Sequence, residues 1–402
     1  MENQHVYFYK KSNKANVSIV ALIFTYISII GWSPFFSGYL VVPLFLTYHI
    51  PFLLLLAYFM LTQKISSALI SLSIIMIILI SALTLLTESL INFNRYIFEP
   101  LTFLLCYYCT VSRKLAEKIC TYASCVVIIG IVLSVISFCY AYAGGNEILT
   151  FHNVDGRLNS LYLTSFSNFK IGNIIRPSFI YDEPGAFSFV ICFVVILREV
   201  LGRKYNWVYL LGGMITLSLT QFIILSLYII VKNWKNIKQI IVLCFALFGL
   251  IMFTYNNNEF DFFYNRFNTE NGTFSGDNRS MQISNYLNVV NENMFLLGDY
   301  KCHDNINQRC ESHGDISSSI VTPIYKGGIL QLLLQIITHA IIFWLALRER
   351  KLIFPALVLT ILLLQRPFFD VVGYSVMIYY SIFLMFNFKV FKKDDYYHSR
   401  KK

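Results

Sequence analysis

The sequence predicts an all-α fold: a polytopic membrane protein of about twelve transmembrane helices with two long polar loops on one side of the bilayer. Three observations predict it. The 402 residues are 56% hydrophobic and only 13% charged, with 36 Phe and 27 Tyr, far more apolar than a soluble domain. Apolar stretches approaching the roughly 20 residues needed to cross a hydrocarbon core recur from residue 17 to residue 388. The Lys and Arg residues fall between them in a pattern that fixes an orientation.

In chain order the expected spans are 17–36, 39–61, 65–87, 96–111, 120–143, 184–201, 205–217, 218–231, 237–255, 327–347, 352–365 and 371–388. They leave no room for a separate soluble domain, so residues 1–402 read as one integral membrane unit. The first run flows into the second and carries no small-residue cleavage site, which predicts a retained helix rather than a signal peptide. Tyr205 to Val231 is long enough to be a single tilted helix, and charge decides for a split. With two crossings there and both termini inside, Lys10, Lys64, Arg113, Arg203, Lys232, Arg348 and the tail after Lys389 all lie on the cytoplasmic side. One crossing would place Lys232–Lys238 and the tail outside.

Two polar segments then face outward, 144–183 and 256–323. The second contains a helix-like patch at Met281–Leu297, with Ile283, Leu287, Val290 and Met294 at helical spacing. The net charge of +10 reflects basic residues retained inside, so nucleic acid is not an expected partner; the lipid bilayer is. No phosphate-binding Gly-Lys-Ser/Thr loop and no His-Glu-x-x-His metal motif is present, which argues against ATP-driven work and against that class of metalloenzyme.

The outward basic residues are mostly arginine: Arg95, Arg157, Arg176, Arg266, Arg279, Arg309 and Arg366, against Lys170, Lys301 and Lys326. A guanidinium is a planar fork of donors suited to phosphate, and a diphosphate at the membrane surface is the natural ligand. Arg366 follows a run of only 14 residues, Leu352–Gln365, about 21 Å of helix, so it is expected below the outer interface. The competing reading has it snorkelling outward or pairing with Asp370.

Arg176-Pro-Ser-Phe-Ile-Tyr-Asp182-Glu183-Pro184 leads into a helix. Pro184 fits the first helical position, and Glu183 before it would suit the positive helix end whatever the function. His313 could act as an acid or base near neutral pH or be a solvated loop residue, and His339 reads as a polar contact within the bundle. Cys302 and Cys310 would face an oxidising compartment, where a small disulfide is plausible; a metal held by Cys302, His303, Cys310 and His313 does not match a standard zinc spacing.

Two local patterns carry a family resemblance. One is Arg176 through Pro184 ahead of a helix; the other is Arg279, then Leu297-Gly298, then His313 and Gly327-Gly328. With the helix arrangement and two outward loops, the chain resembles the Wzy-type polymerases of bacterial surface polysaccharide and their relatives, the O-antigen ligases. The resemblance implies a glycosyltransferase of lipopolysaccharide or other surface polysaccharide biosynthesis in the bacterial inner membrane, with 144–183 and 256–323 as periplasmic loops. It would transfer a growing glycan from undecaprenyl diphosphate onto the next undecaprenyl-diphosphate-linked repeat unit. A chain-length regulator protein is a further candidate partner, and no cofactor or metal is expected.

By position Arg176 and Arg279 carry over to diphosphate or glycan binding, with Arg266 and Arg366 behind them, and His313 to activation of the acceptor hydroxyl. The commonest ligase-like form has Asn directly after that His, and this chain has Gly314, so Glu183 or Asp315 remain alternative bases. A ligase and a lipid-linked oligosaccharide flippase or other transporter are the rival functions. A transporter would concentrate ionisable groups near the bilayer midplane, whereas here they collect in the outward segments.

Overall fold

The computed structural model describes residues 14–63, 67–87, 96–152, 158–233, 269–270, 273–274, 283–284, 286–288, 290–298, 320–369 and 371–391. The expected span 237–255 and about two thirds of 256–323 lie outside these residues. Helices stand at the other expected positions: α1 (Lys14–Thr25), α2 (Ile50–Thr62), α3 (Ser67–Thr87), α4 (Phe98–Val111), α5 (Arg113–Tyr142), α6 (Pro184–Val200), α7 (Asn206–Gly213), α8 (Leu219–Asn233), α9 (Glu292–Leu297), α10 (Thr322–Arg348), α11 (Ile353–Gln365) and α12 (Val372–Phe386). Phe45–Thr62, α5 and α10 are each long and apolar enough to cross a membrane, and several shorter apolar helices accompany them.

Two boundaries differ from expectation. α5 begins at Arg113 rather than 120, because Ser112 caps it by accepting a hydrogen bond from the Leu115 N–H and Arg113 pairs with Glu117 one turn on. The expected first span is interrupted after Thr25 by π-helical turns at Tyr26–Ile30 and Phe35–Tyr39.

The centre of the bundle is α6. Residues 189–197 along it are each no more than 1% exposed, and it packs against α5, α7, α8, α11 and α12. A helix apolar on every side has no stable place except among other helices. The periphery is the reverse. Ile74, Ile75, Ile78 and Leu79 on α3, and Ile336, Ile337, Phe343 and Trp344 on α10, are 46–65% exposed. Such continuous aliphatic surface is unfavourable in water and is what a hydrocarbon solvent selects, so the chain is a membrane protein.

The chain turns back inside 205–231. Gln221 Nε2 on α8 donates to the Leu210 carbonyl on α7 at 3.0 Å, two residues that a continuous helix would hold about 16 Å apart. Leu217, with φ of 48°, makes the reversal, and Glu199 at the end of α6 receives both Asn206 Nδ2 from the start of α7 (2.8 Å) and Lys232 Nζ from the end of α8 (2.6 Å). Both ends of this hairpin therefore sit at the Glu199 end of α6.

The all-α expectation fails locally in 144–183. β1 (Leu149–His152), β2 (Leu158–Tyr162) and β3 (Ser165–Ser167) form an antiparallel sheet with Leu149 opposite Leu161 and Ser160 opposite Ser167. Its support comes from α5, where the Leu133 carbonyl accepts from Thr164 Oγ1 at 2.6 Å and Ser137 Oγ donates to the Tyr162 carbonyl. Exposure alternates along β1, the period of a half-buried strand.

Further on, the 281–297 patch packs through Val290 and Met294 as expected but not through Leu287. Val290 and Met294 pack with Tyr286 against Ile324 and Tyr325, whereas Leu287 is 64% exposed.

Candidate functional site

α11 has only 13 residues, about 20 Å, and stops where Pro367 disfavours helical backbone at the residue before it. Arg366 adopts φ −141° and ψ 80° and turns into the bundle, where it is 6% exposed. It does not snorkel. Its Nη2 meets Glu183 Oε1 at 2.5 Å, and its Nη1 donates to the Tyr374 hydroxyl at 3.1 Å. Asp370, the partner that sequence proximity offered, lies outside the described residues.

Glu183 stands just before Pro184, in extended backbone, and makes no side-chain hydrogen bond to the start of α6. Its carboxylate goes to Arg366 instead. Gly185 permits the approach, because a Cβ there would lie 2.7 Å from Arg366 Nη2. Arginine stays protonated in proteins, and the Glu183 carboxylate beside it balances the buried charge. The guanidinium is thus a permanent, fixed cation.

Aromatic side chains hold this pair in place. Tyr374 packs against Trp32, Phe189 and Phe368 with ring centroids 4.8–5.2 Å apart, and Trp32 packs against Tyr181, whose hydroxyl donates to the Ile29 carbonyl at 2.6 Å. Phe368 lies near two cations: Arg366 Cζ is 5.8 Å from its ring centre and Lys326 Nζ 5.6 Å.

Lys326 immediately precedes a break in α10 at Gly327 and Gly328. Gly328 has φ of 61°, and a Cβ there would meet the Leu296 carbonyl oxygen at 2.3 Å; one on Gly298 would meet the Lys326 carbonyl oxygen at 2.6 Å. The two glycine patches singled out in the sequence therefore lie backbone against backbone, α9 on the kink of α10.

Arg176 occupies another place. Its Nη2 donates to the Leu217 carbonyl at 3.1 Å, its guanidinium lies 5.6 Å from the Phe169 ring centre, and its backbone N–H donates to Ser167 Oγ at 3.3 Å. It ties the sheet region to the tip of the α7–α8 hairpin. His339 Nδ1 lies 2.7 Å from the carbonyl of Gln335 on its own helix. Arg266, Arg279, His313 and the Cys302–Cys310 pair fall outside the described residues.

Comparison with family models, with curated proteins and with solved structures gives no match. The reading of the site therefore rests on its geometry. Sequence reasoning reached Arg366 and Glu183 separately and missed that they meet. It also missed Tyr374 and Gly185, for which the available signals were a hydroxyl-bearing ring in an apolar run and a glycine two residues after a carboxylate. Chemically, two cations at one aromatic ring can neutralise a phosphate-bearing group, and Glu183 fixes the inner one in orientation.

Proposed function

We propose that this chain is a Wzy-type polymerase of bacterial surface polysaccharide, crossing the inner membrane about a dozen times with both termini cytoplasmic and with 144–183 and 256–323 as periplasmic loops. It joins a growing glycan on undecaprenyl diphosphate to the next carrier-linked repeat unit. The observation that carries the reading is the buried Arg366–Glu183 pair at the head of the central helix, beside a second cation, Lys326, at the same Phe368 ring. An ionisable pair in a break between apolar helices is expensive to keep and suits a site that meets charge arriving in the membrane surface.

In this reading Arg366 and Lys326 stabilise the negative charge that develops on the departing diphosphate, and Glu183 and Tyr374 orient Arg366. Arg176, Arg266 and Arg279 bind diphosphate or glycan further out, and His313 is a candidate for activating the acceptor. No metal or cofactor takes part. The test is the glycan ladder of a deletion strain. Loss of the gene leaves surface glycan with a single repeat unit on its lipid core, and Arg366→Ala reproduces that phenotype at normal protein level. An unchanged ladder on deletion overturns the reading, and disappearance of even the single-repeat species points to a ligase.

A further inference from the structure

Glu99 is an acid inside an otherwise apolar helix. It lies in the first turn of α4, is 4% exposed, and its Oε1 accepts a hydrogen bond from Gln331 Nε2 on α10 at 2.8 Å; Gln331 is itself 6% exposed. Beside them is a cavity of about 80 Å³, with Tyr96, Glu99, Gly327 and Gln331 at its polar end and Leu79 and Leu330 among its apolar walls. Leu79 and Leu330 are 49% and 37% exposed on the aliphatic periphery, so the cavity lies between a buried carboxylate and the lipid-facing surface. It has room for several waters or for one sugar hydroxymethyl group.

Gly327 keeps this space open, since a Cβ there would lie 2.3 Å from Gln331 Cγ and 2.7 Å from the Tyr96 hydroxyl. It also joins the cavity to the cation pair. Gly327 lines the one, and its neighbour Lys326 reaches Phe368 and hence Arg366 in the other. The α10 kink thus carries one residue of a carboxylate subsite and one of a cationic site at consecutive positions. A carboxylate repels a diphosphate and accepts from hydroxyls, so its ligand is a sugar hydroxyl of the acceptor repeat unit, away from that unit's own diphosphate.

We propose that Glu99, oriented by Gln331, takes the place of His313 as the catalytic residue that accepts the proton of the acceptor sugar hydroxyl; this rests on the polymerase reading above. The acceptor O–H bond breaks and its proton passes to the Glu99 carboxylate. The freed oxygen pair forms the new bond to the anomeric carbon of the donor glycan. The bond from that carbon to the diphosphate oxygen breaks, and its electron pair leaves on the diphosphate beside Arg366 and Lys326. Glu99 then returns the proton to water.

The test uses full-length protein in liposomes with synthetic undecaprenyl-diphosphate-linked repeat units. Glu99→Gln, nearly isosteric, is expected to lose about 10²-fold or more in turnover with acceptor KM little changed, and Glu99→Asp to keep part of the activity. Gly327→Ala, which fills the cavity, raises acceptor KM. A hydrophobic carbodiimide applied to the wild type labels Glu99, and the acceptor protects it, a readout that needs no variant to fold. Wild-type turnover in Glu99→Gln while Arg366→Ala is inactive, or labelling that the acceptor leaves unchanged, overturns the role of Glu99 and leaves the polymerase standing. A wild-type protein that never extends the repeat unit overturns both.

Discussion

Glu183→Gln keeps the shape of the side chain and an oxygen for Arg366 while removing the charge, so it isolates what the ion pair contributes. The Arg366 side chain is 8% exposed and that of Glu183 is 26% exposed. Removing one partner of a buried pair costs about 3–5 kcal/mol, because the other charge is left in a poor solvent. Asp182 and Tyr374 remain to compensate Arg366, which places Glu183→Gln at the lower end, about 3 kcal/mol. Arg366→Leu strands a carboxylate that is partly exposed and can hydrate, so its cost is smaller, about 2 kcal/mol. The double variant strands neither charge and should be destabilised by well under the sum, with a coupling of about 2 kcal/mol or more. Reversible unfolding in mixed detergent micelles measures all three. Additivity within about 0.5 kcal/mol would refute the pairing as a structural unit. Polymerisation separates the second role, since the double variant recovers stability and remains inactive.

Arg176→Ala removes the donor to the Leu217 carbonyl and should cost about 1–2 kcal/mol and shorten or abolish polymer, with Arg176→Lys restoring it only in part; full-length polymer in the alanine variant removes Arg176 from the account. Arg279→Ala should likewise abolish or shorten polymer at normal protein level, read on the same glycan ladder. Gly328→Ala places a Cβ against the Leu296 backbone at a φ of 61° and should lower the melting temperature strongly, while Gly202→Ala, at φ 68° with open space around it, carries only the backbone strain of about 1 kcal/mol. Equal shifts in the two would contradict the close contact between α9 and the α10 kink.

The helices were legible because each is a run of apolar residues with polar ends, and hydrocarbon demands no finer pattern. The reversal at Leu217 was legible chiefly through charge. The Gly212-Gly213 pair is the one local hint of a turn, and the deciding signal is that Arg203 and Lys232 could not both lie on the cytoplasmic side of one crossing. The sheet at 149–167 was missed because its strands are short and depend on Leu133 and Ser137 of α5 for support, a tertiary effect invisible to local periodicity.

At the site, depth was predictable and partnership was not. The shortness of the run before Arg366 pointed to a buried residue, which the 6% exposure agrees with, while Asp370, the partner near in sequence, lies outside the described residues. Glu183, far away along the chain, reached it because α6 and α11 pack together and Gly185 leaves the space. Glu99 carried a usable signal, an acid within an apolar run, that was masked by its position near a helix start where acids are commonplace.

The most direct test of the central claim is extension of undecaprenyl-diphosphate-linked repeat units by the purified protein in liposomes, with no other enzyme present. The account predicts a ladder of lengthening glycans, release of undecaprenyl diphosphate in step with each bond formed, and loss of both in Arg366→Ala. Repeat units that stay single in the presence of folded wild-type protein, or a ladder that Arg366→Ala leaves intact, would contradict it.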